Sequence, residues 1–259
     1  MLDLSALKQI RPFIATPSYS GALTSMYVRS LLGLVNLAWA HGMTLQTRFL
    51  DGDSLVTRAR NRLAAEFMAD ERWTHLFWID ADIGFEPEAA LRLLLSGRDV
   101  AAGAYPIKRD GWPAQGLAKA LPAGSTRSDF DALHTQYAFN PRRRADGSIA
   151  PVDDDGFIEA LDAPTGFMVI GRRVFERLAA AMPELRYIPD GTAPGHEQLV
   201  HYRFFDTLFE RDTGRWLSED YAFCRRWQAL GGRVHVDARS CLAHQGLQTW
   251  QGDLGRQQR

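Results

Sequence analysis

THLFWIDADIGFEPEAALRLL, residues 74–94, decides the fold. The apolar run Leu76-Phe77-Trp78-Ile79 shows no alternation, which predicts a strand buried on both faces, as in a parallel sheet. The run ends in two acids, Asp80 and Asp82, and Pro87 then stands near the start of a helix that stops at Gly97. Upstream, PFIAT (12–16) predicts a short buried strand ended by Pro17, with a polar loop from Ser18 to Gly21. Leu23, Met26, Tyr27, Leu31, Leu34, Val35 and Ala38 then recur at helical spacing until Gly42. TLQTRFL (44–50) alternates as a half-buried strand does, and Asp51-Gly52-Asp53-Ser54 turns the chain into a helix over about 55–69. DVAAGAY (99–105) is the next strand.

Strand and helix therefore alternate three times, which predicts an α/β fold: a Rossmann-like, mostly parallel sheet with helices on both faces. From about 106 to 160 the regular signal fades, and loops of that length inside a compact domain usually carry function or move. A strand-helix unit returns at Thr165–Ile170 and Arg172–Met182, then Ser218 opens a helix running to Gly231-Gly232, and RVHVDA (233–238) is a last alternating strand.

A chain of 259 residues fits one α/β domain, since such folds use about 250 residues as a unit. We expect a single domain over 1–259, with a nucleotide-binding half over about 1–105 and an acceptor-binding, catalytic half over about 106–250. A formal net charge of −1 supplies no strong field towards nucleic acid or an anionic bilayer, which leaves room only for local basic patches. No apolar run long enough to span a membrane is present, and residues 23–40 carry Arg29 and Asn36 within them. The first residues lack the basic leader and apolar core of a secretory signal, and two cysteines do not make a disulfide scaffold, so the expected location is the cytoplasm.

Ligands of open α/β sheets gather beyond the carboxyl ends of the strands, where Asp80 and Asp82 fall. Residues i and i+2 of a strand share a face about 6.6 Å apart. Two ionised carboxylates there repel by about 2–3 kcal/mol at an effective dielectric of 20, so a positive partner is expected. A hard divalent cation accepts carboxylate oxygens and brings its charge to phosphates. The plainer alternative is a solvated strand end with Asp82 starting the next helix. Asp51-Gly52-Asp53 reads first as a turn with Ser54 beside a helix start. Glu219 and Asp220 stand in the first turn of a helix, where the macrodipole favours negative charge; alternatively Asp220 is a general base held at a fixed helix start. Arg58, Arg60 and Asn61 follow the second strand, with solvated arginine the ordinary use and phosphate contact the other. Lys108 reads as exposed or as a phosphate contact, and His244 as a loop histidine unless other groups gather round it.

Four stretches occur in a telling order: ARNRLAAEFM (59–68), HLFWIDADIGF (75–85), TGFMVIGRRVFERL (165–178) and SEDYAFCRRWQALGGRVHVDARSCLAH (218–244). Together they make the chain resemble the nucleotide-sugar-dependent glycosyltransferases of the GT-A fold, family 2-like. The resemblance implies transfer of a sugar from a nucleoside diphosphate sugar, UDP being commonest in that group, to a hydroxyl-bearing acceptor such as a carbohydrate. It implies Mn2+ or Mg2+ held by Asp80, Asp82 and His244 against the diphosphate. It makes Asp220 the catalytic base of an inverting displacement, with Glu219 its neighbour. Thr16, Pro17 and Ser18 are implied at the base and ribose, Asp51 or Asp53 at uracil or ribose, and Arg60 at nucleotide or phosphate. Gly166 is implied as a point where the acceptor approaches the backbone. The chain departs from the group in placing Ile83-Gly84-Phe85 after the D-x-D, where a polar or acidic residue is common.

Two other classes stay open: a nucleotide-sugar or carbohydrate binding protein without turnover, and a phosphotransferase of the haloacid dehalogenase type, whose D-x-D normally follows the first strand rather than the third. Trp112, Tyr137, Phe139, Tyr187, Tyr202, Phe204, Phe205, Trp216 and Trp250 crowd the second half; core packing is their commoner use and sugar stacking the alternative.

Overall fold

The computed structural model describes residues 4–108, 122–126, 129–130, 136–190 and 198–246. Trp112 and Trp250 lie outside the described residues, as do parts of the segment expected to shape the acceptor site. The strands are β1 (Pro12–Ser18), β2 (Gln46–Asp51), β3 (His75–Ile79), β4 (Ile83–Phe85), β5 (Val100–Gly103), β6 (Asn140–Pro141) and β7 (Phe157–Asp162). They continue with β8 (Phe167–Gly171), β9 (Arg186–Tyr187), β10 (His201–Tyr202), β11 (Leu208–Glu210), β12 (Arg215–Leu217), β13 (Val234–Asp237) and β14 (Leu242–His244). The helices are α1 (Ser25–Ala40), α2 (Val56–Met68), α3 (Pro87–Leu94), α4 (Arg172–Ala181) and α5 (Glu219–Ala229).

One sheet, in the order β2-β1-β3-β8-β5-β13-β7-β6, runs through the molecule. β3 lies inside it with β1 parallel on one edge and β8 antiparallel on the other. Its side chains alternate between two apolar layers, which is why its sequence does not alternate. Leu76 and Trp78 pack into the layer of Leu63 and Phe67 from α2, Phe175 from α4, and Phe223 and Trp227 from α5. Phe77 and Ile79 point the other way, into the layer of Leu31 and Leu34 from α1 and Leu91 and Leu94 from α3. Helices thus cover both faces, and the α/β fold expected from the sequence is the one observed.

The pairing differs from the mostly parallel expectation at two strands. β8 sits antiparallel between β3 and β5, and with β7 it runs against the rest of the sheet. Antiparallel insertion puts Gly166, just before the amino end of β8, beside the carboxyl end of β3: the Asp80 amide donates to Gly166 O at 2.9 Å. The expected irregular stretch also contains β7, which pairs antiparallel with β13. Arg172, at the start of α4, donates to the carbonyls of Phe67, Asp70 and Trp73, capping the end of α2 with one fork of donors. Among the described residues no helix is long and apolar enough to cross a membrane.

Candidate functional site

The D-x-D is a stapled turn. The Ile83 amide donates to Asp80 O at 3.1 Å, and Thr24 donates to Ala81 O from both its amide and its hydroxyl, at 3.0 and 3.2 Å. Thr24 also caps α1 by accepting from the Tyr27 amide, so one threonine ties the turn to a helix start. Ile83-Gly84-Phe85 forms β4 and pairs antiparallel with β14, setting His244 opposite Ile83. The Gln245 amide then donates to Asp82 O at 2.9 Å.

Above this turn lies a cleft of about 350 Å³ at the carboxyl ends of β1 and β3. Pro17, Ser18, Asp53, Arg60, Asp80 and Asp82 line it, so six of the residues selected from the sequence meet at one cleft. Tyr19 and Ser20 join them. Thr16 does not reach the cleft: it is fully buried, its hydroxyl 2.7 Å from that of Tyr27. Asp51 stands exposed at the end of β2, opposite Ser18 in register and beside Gly21. Asp53 accepts from the Leu55 amide at 3.0 Å and from Arg58 at 2.9 Å, so Arg58 is held at the cleft's outer edge by its own helix start.

Arg60 is the surprise of the site. Its side chain is 4% exposed and lies over the Trp78 ring, 5.1 Å from the centroid. Its Nη2 donates to Asp80 Oδ1 and Oδ2 at 2.9 and 3.2 Å, and its Nε donates to Glu219 Oε1 at 3.3 Å. One buried cation therefore ties the carboxyl end of β3 to the amino end of α5. Burial by itself opposes a charged guanidinium, but Asp80 and Glu219 outweigh it and push the Arg60 pKa further up. Asp80 thereby finds its positive partner within the protein.

Asp220, half-buried on the next residue of α5, accepts hydrogen bonds from the Ser218 hydroxyl and from the Tyr221 amide, the latter at 2.8 Å. Burial raises its pKa from 3.8 to about 6, the charge of Glu219 adds to the rise, and the two hydrogen bonds and Arg60 restrain it. A carboxylate with such a pKa is poised to take a proton near neutral pH.

Tyr105, just beyond β5, stands beside Gly166 and Asp80 and was not singled out from the sequence. Its hydroxyl accepts from the Gly166 amide at 3.3 Å, and a Cβ on residue 166 would lie 2.5 Å from that hydroxyl and 2.9 Å from Asp80 Oδ2. The space at Gly166 is thus filled by the protein's own Tyr105 and Asp80. The rule that ligands collect at carboxyl ends of strands would have pointed to Tyr105 as it did to Asp80.

Asp82 takes Lys108 on Oδ2 and stands 3.6 Å from His244 Nε2 through Oδ1. Burial would raise its pKa, but the neighbouring His244 and the hydrogen-bonded Lys108 ammonium bring it down to about 2. His244 Nδ1 is 2.8 Å from Pro106 O, which can only accept, so Nδ1 carries a proton. A protonated ring turns its Nε2–H towards Asp82, whereas the neutral ring keeps a lone pair on Nε2 for a cation, the tautomer that a metal-ligating histidine adopts. Among the described residues no group of three or more His, Cys, Asp or Glu side chains assembles a complete ligand set. Asp82 and His244 are the two side chains at this turn that could hold a hard or borderline divalent cation; Asp80 is engaged by Arg60.

Of the aromatic residues, Phe204 and Phe205 are core, with Phe205 stacked on Phe223. Trp216 is 76% exposed opposite Phe209 on the β11–β12 hairpin.

No family model matches the chain, and no curated protein does. Among solved structures the chain is similar to A197 from STIV, at 15% identity over 91% of this chain and 85% of that one, with a TM-score of 0.47. It is also similar to the crystal structure of GalNAc-T7 with UDP, GalNAc and Mn2+, at 9% identity and a TM-score of 0.48, over 91% of this chain and 44% of that one.

Proposed function

We propose that the protein is a metal-dependent glycosyltransferase that moves a sugar from a nucleoside diphosphate sugar, UDP being the first choice of nucleotide, to a hydroxyl group of an acceptor. The observation that carries this is Arg60. It joins the Asp80 end of the D-x-D turn, which lines a cleft of nucleotide-compatible size, to the helix start bearing Asp220. A donor site and a base are thereby fixed relative to each other by one buried side chain.

In this reading the base and ribose lie along Pro17, Ser18 and Tyr19, with Asp53 at the far edge. The diphosphate lies over the D-x-D turn, near Lys108. Asp82 and His244 would hold Mn2+ or Mg2+, which supplies countercharge to the departing diphosphate when bound. Asp220 accepts the proton of the acceptor hydroxyl as the acceptor oxygen bonds the anomeric carbon. The bond from that carbon to the diphosphate breaks, and its electron pair leaves with the nucleoside diphosphate. A single displacement of this kind inverts the anomeric centre. Arg60 holds Asp80 and Glu219 in place, and Tyr105 packs against Gly166 and closes the site beside them.

The test is a panel of nucleoside diphosphate sugars against the purified protein, with Mn2+ and with chelator, read by thermal shift and by product analysis. At a ligand concentration about 100 times the dissociation constant the folded state gains about 2.7 kcal/mol, a shift of several degrees. The expected result is a shift with one donor that chelator removes, together with transfer or slow donor hydrolysis. A shift without any turnover across acceptors would favour the sugar-binding protein; no shift with any donor would end the proposal.

A further inference from the structure

The Asp82 carboxylate already has a cation on it. Lys108 comes from the segment just after β5 and places its ammonium on Oδ2, while His244 faces Oδ1. The lysine has a fitted seat: Gly246 packs against its stem so closely that a Cβ there would lie 2.9 Å from Lys108 Cδ. The Gln245 amide, one residue earlier, anchors the turn to Asp82 O. His244, Gln245 and Gly246 thus hold Asp82 and Lys108 against each other from one short stretch of chain. Both side chains are about one third exposed, so neither is locked in the interior.

We infer that Lys108 and a divalent cation compete for Asp82, so that Lys108 sets the metal affinity of the site and makes metal and nucleotide bind cooperatively. This rests on the proposed metal site at Asp82 and His244. An ammonium and a divalent ion on one carboxylate repel each other strongly at such separations, so Lys108 must leave when the metal arrives. Its flexible four-carbon stem permits that. With no nucleotide present, the displaced ammonium loses its partner and gains only water. With a diphosphate in the cleft, it gains phosphate oxygens, and the exchange becomes favourable. Metal binding alone is therefore weak, and metal with nucleotide is strong.

The experiment is Mn2+ titration of the purified protein by electron paramagnetic resonance, without nucleotide and with saturating UDP, for wild type, Lys108→Met and Gly246→Ala. Typical site-to-site couplings are about 5- to 150-fold. Accordingly, Lys108→Met is expected to bind Mn2+ alone about tenfold more tightly than wild type and to lose most of the gain that UDP brings. Gly246→Ala, which pushes on the lysine stem but keeps its charge, is expected to move Mn2+ affinity in the same direction by a smaller factor. Equal or weaker Mn2+ binding by Lys108→Met without nucleotide, where wild type binds Mn2+ with UDP, overturns the competition and leaves the metal site standing. Absence of Mn2+ binding from every protein, with and without UDP, overturns the metal site and the competition together.

Discussion

Asp220→Asn is expected to lower sugar transfer by about 10³-fold while leaving donor binding within about threefold of wild type, because a positioned base contributes about 10²–10⁴ to rate. The amide keeps the shape of the carboxylate, and its oxygen still accepts from the Ser218 hydroxyl and the Tyr221 amide. What it loses is the capacity to take a proton. The same residue fixes the pH dependence. Its pKa is raised to about 6, first by burial and then by Glu219, so the base is protonated and idle below that pH and available above it. The wild-type rate at subsaturating acceptor is expected to rise about tenfold per pH unit below 6 and to level off above it. Asp220→Asn should show no inflection there. Steady-state rates between pH 4.5 and 8.5 check both; a variant within tenfold of wild type with the same inflection contradicts the role of Asp220.

The second large effect is expected at Arg60. Arg60→Met keeps an unbranched apolar stem like that of the arginine but removes the cation between Asp80 and Glu219. Taking one partner from a buried ion pair typically costs about 3–5 kcal/mol, because the remaining charges are left uncompensated. Here the Asp80 side chain is 30% exposed and can recover some hydration, so about 3 kcal/mol is expected. The urea midpoint should fall accordingly. Adding Asp80→Asn and Glu219→Gln should return part of the loss, since no unpaired carboxylate then remains. The single variant should also lose transfer, as the helix bearing Asp220 is no longer tied to the D-x-D turn. A change below about 0.5 kcal/mol, the range of ordinary surface substitutions, contradicts the placement of Arg60 as the central tie.

Much of this molecule was legible in the sequence where one element carried enough pattern. The unbroken run Leu76–Ile79 announced a strand covered on both faces, and the layers holding Trp78 and Phe77 are those two faces. Ser218 before Glu219 announced the start of α5. The direction of β8 was not legible, because alternation of strands and helices states order along the chain and not polarity across a sheet. Three-residue strands such as β4 and β14 are too short to show any period, so the pairing that brings His244 beside Asp82 was hidden. Arg60 is different, since its signal was present. Arg60, Leu63, Ala64 and Phe67 fall at i, i+3, i+4 and i+7 on α2, the buried stripe, and all four are buried. An arginine on that stripe needs acids inside the protein, and Asp80 and Glu219 are those acids. Lys108 carried no such pattern; its place on Asp82 depends on the turn at His244-Gln245-Gly246, which no periodicity describes.

The central claim is that a divalent ion at Asp82 meets the diphosphate of a sugar nucleotide in the cleft above the D-x-D turn. Anomalous diffraction at the manganese edge, from crystals grown with Mn2+ and UDP, tests it most directly. The account predicts one strong peak against the Asp82 carboxylate and His244 Nε2, bridging to the diphosphate, with Lys108 moved off Asp82. A nucleotide ordered elsewhere, or one bound in the cleft with no anomalous peak and Lys108 still on Asp82, contradicts it.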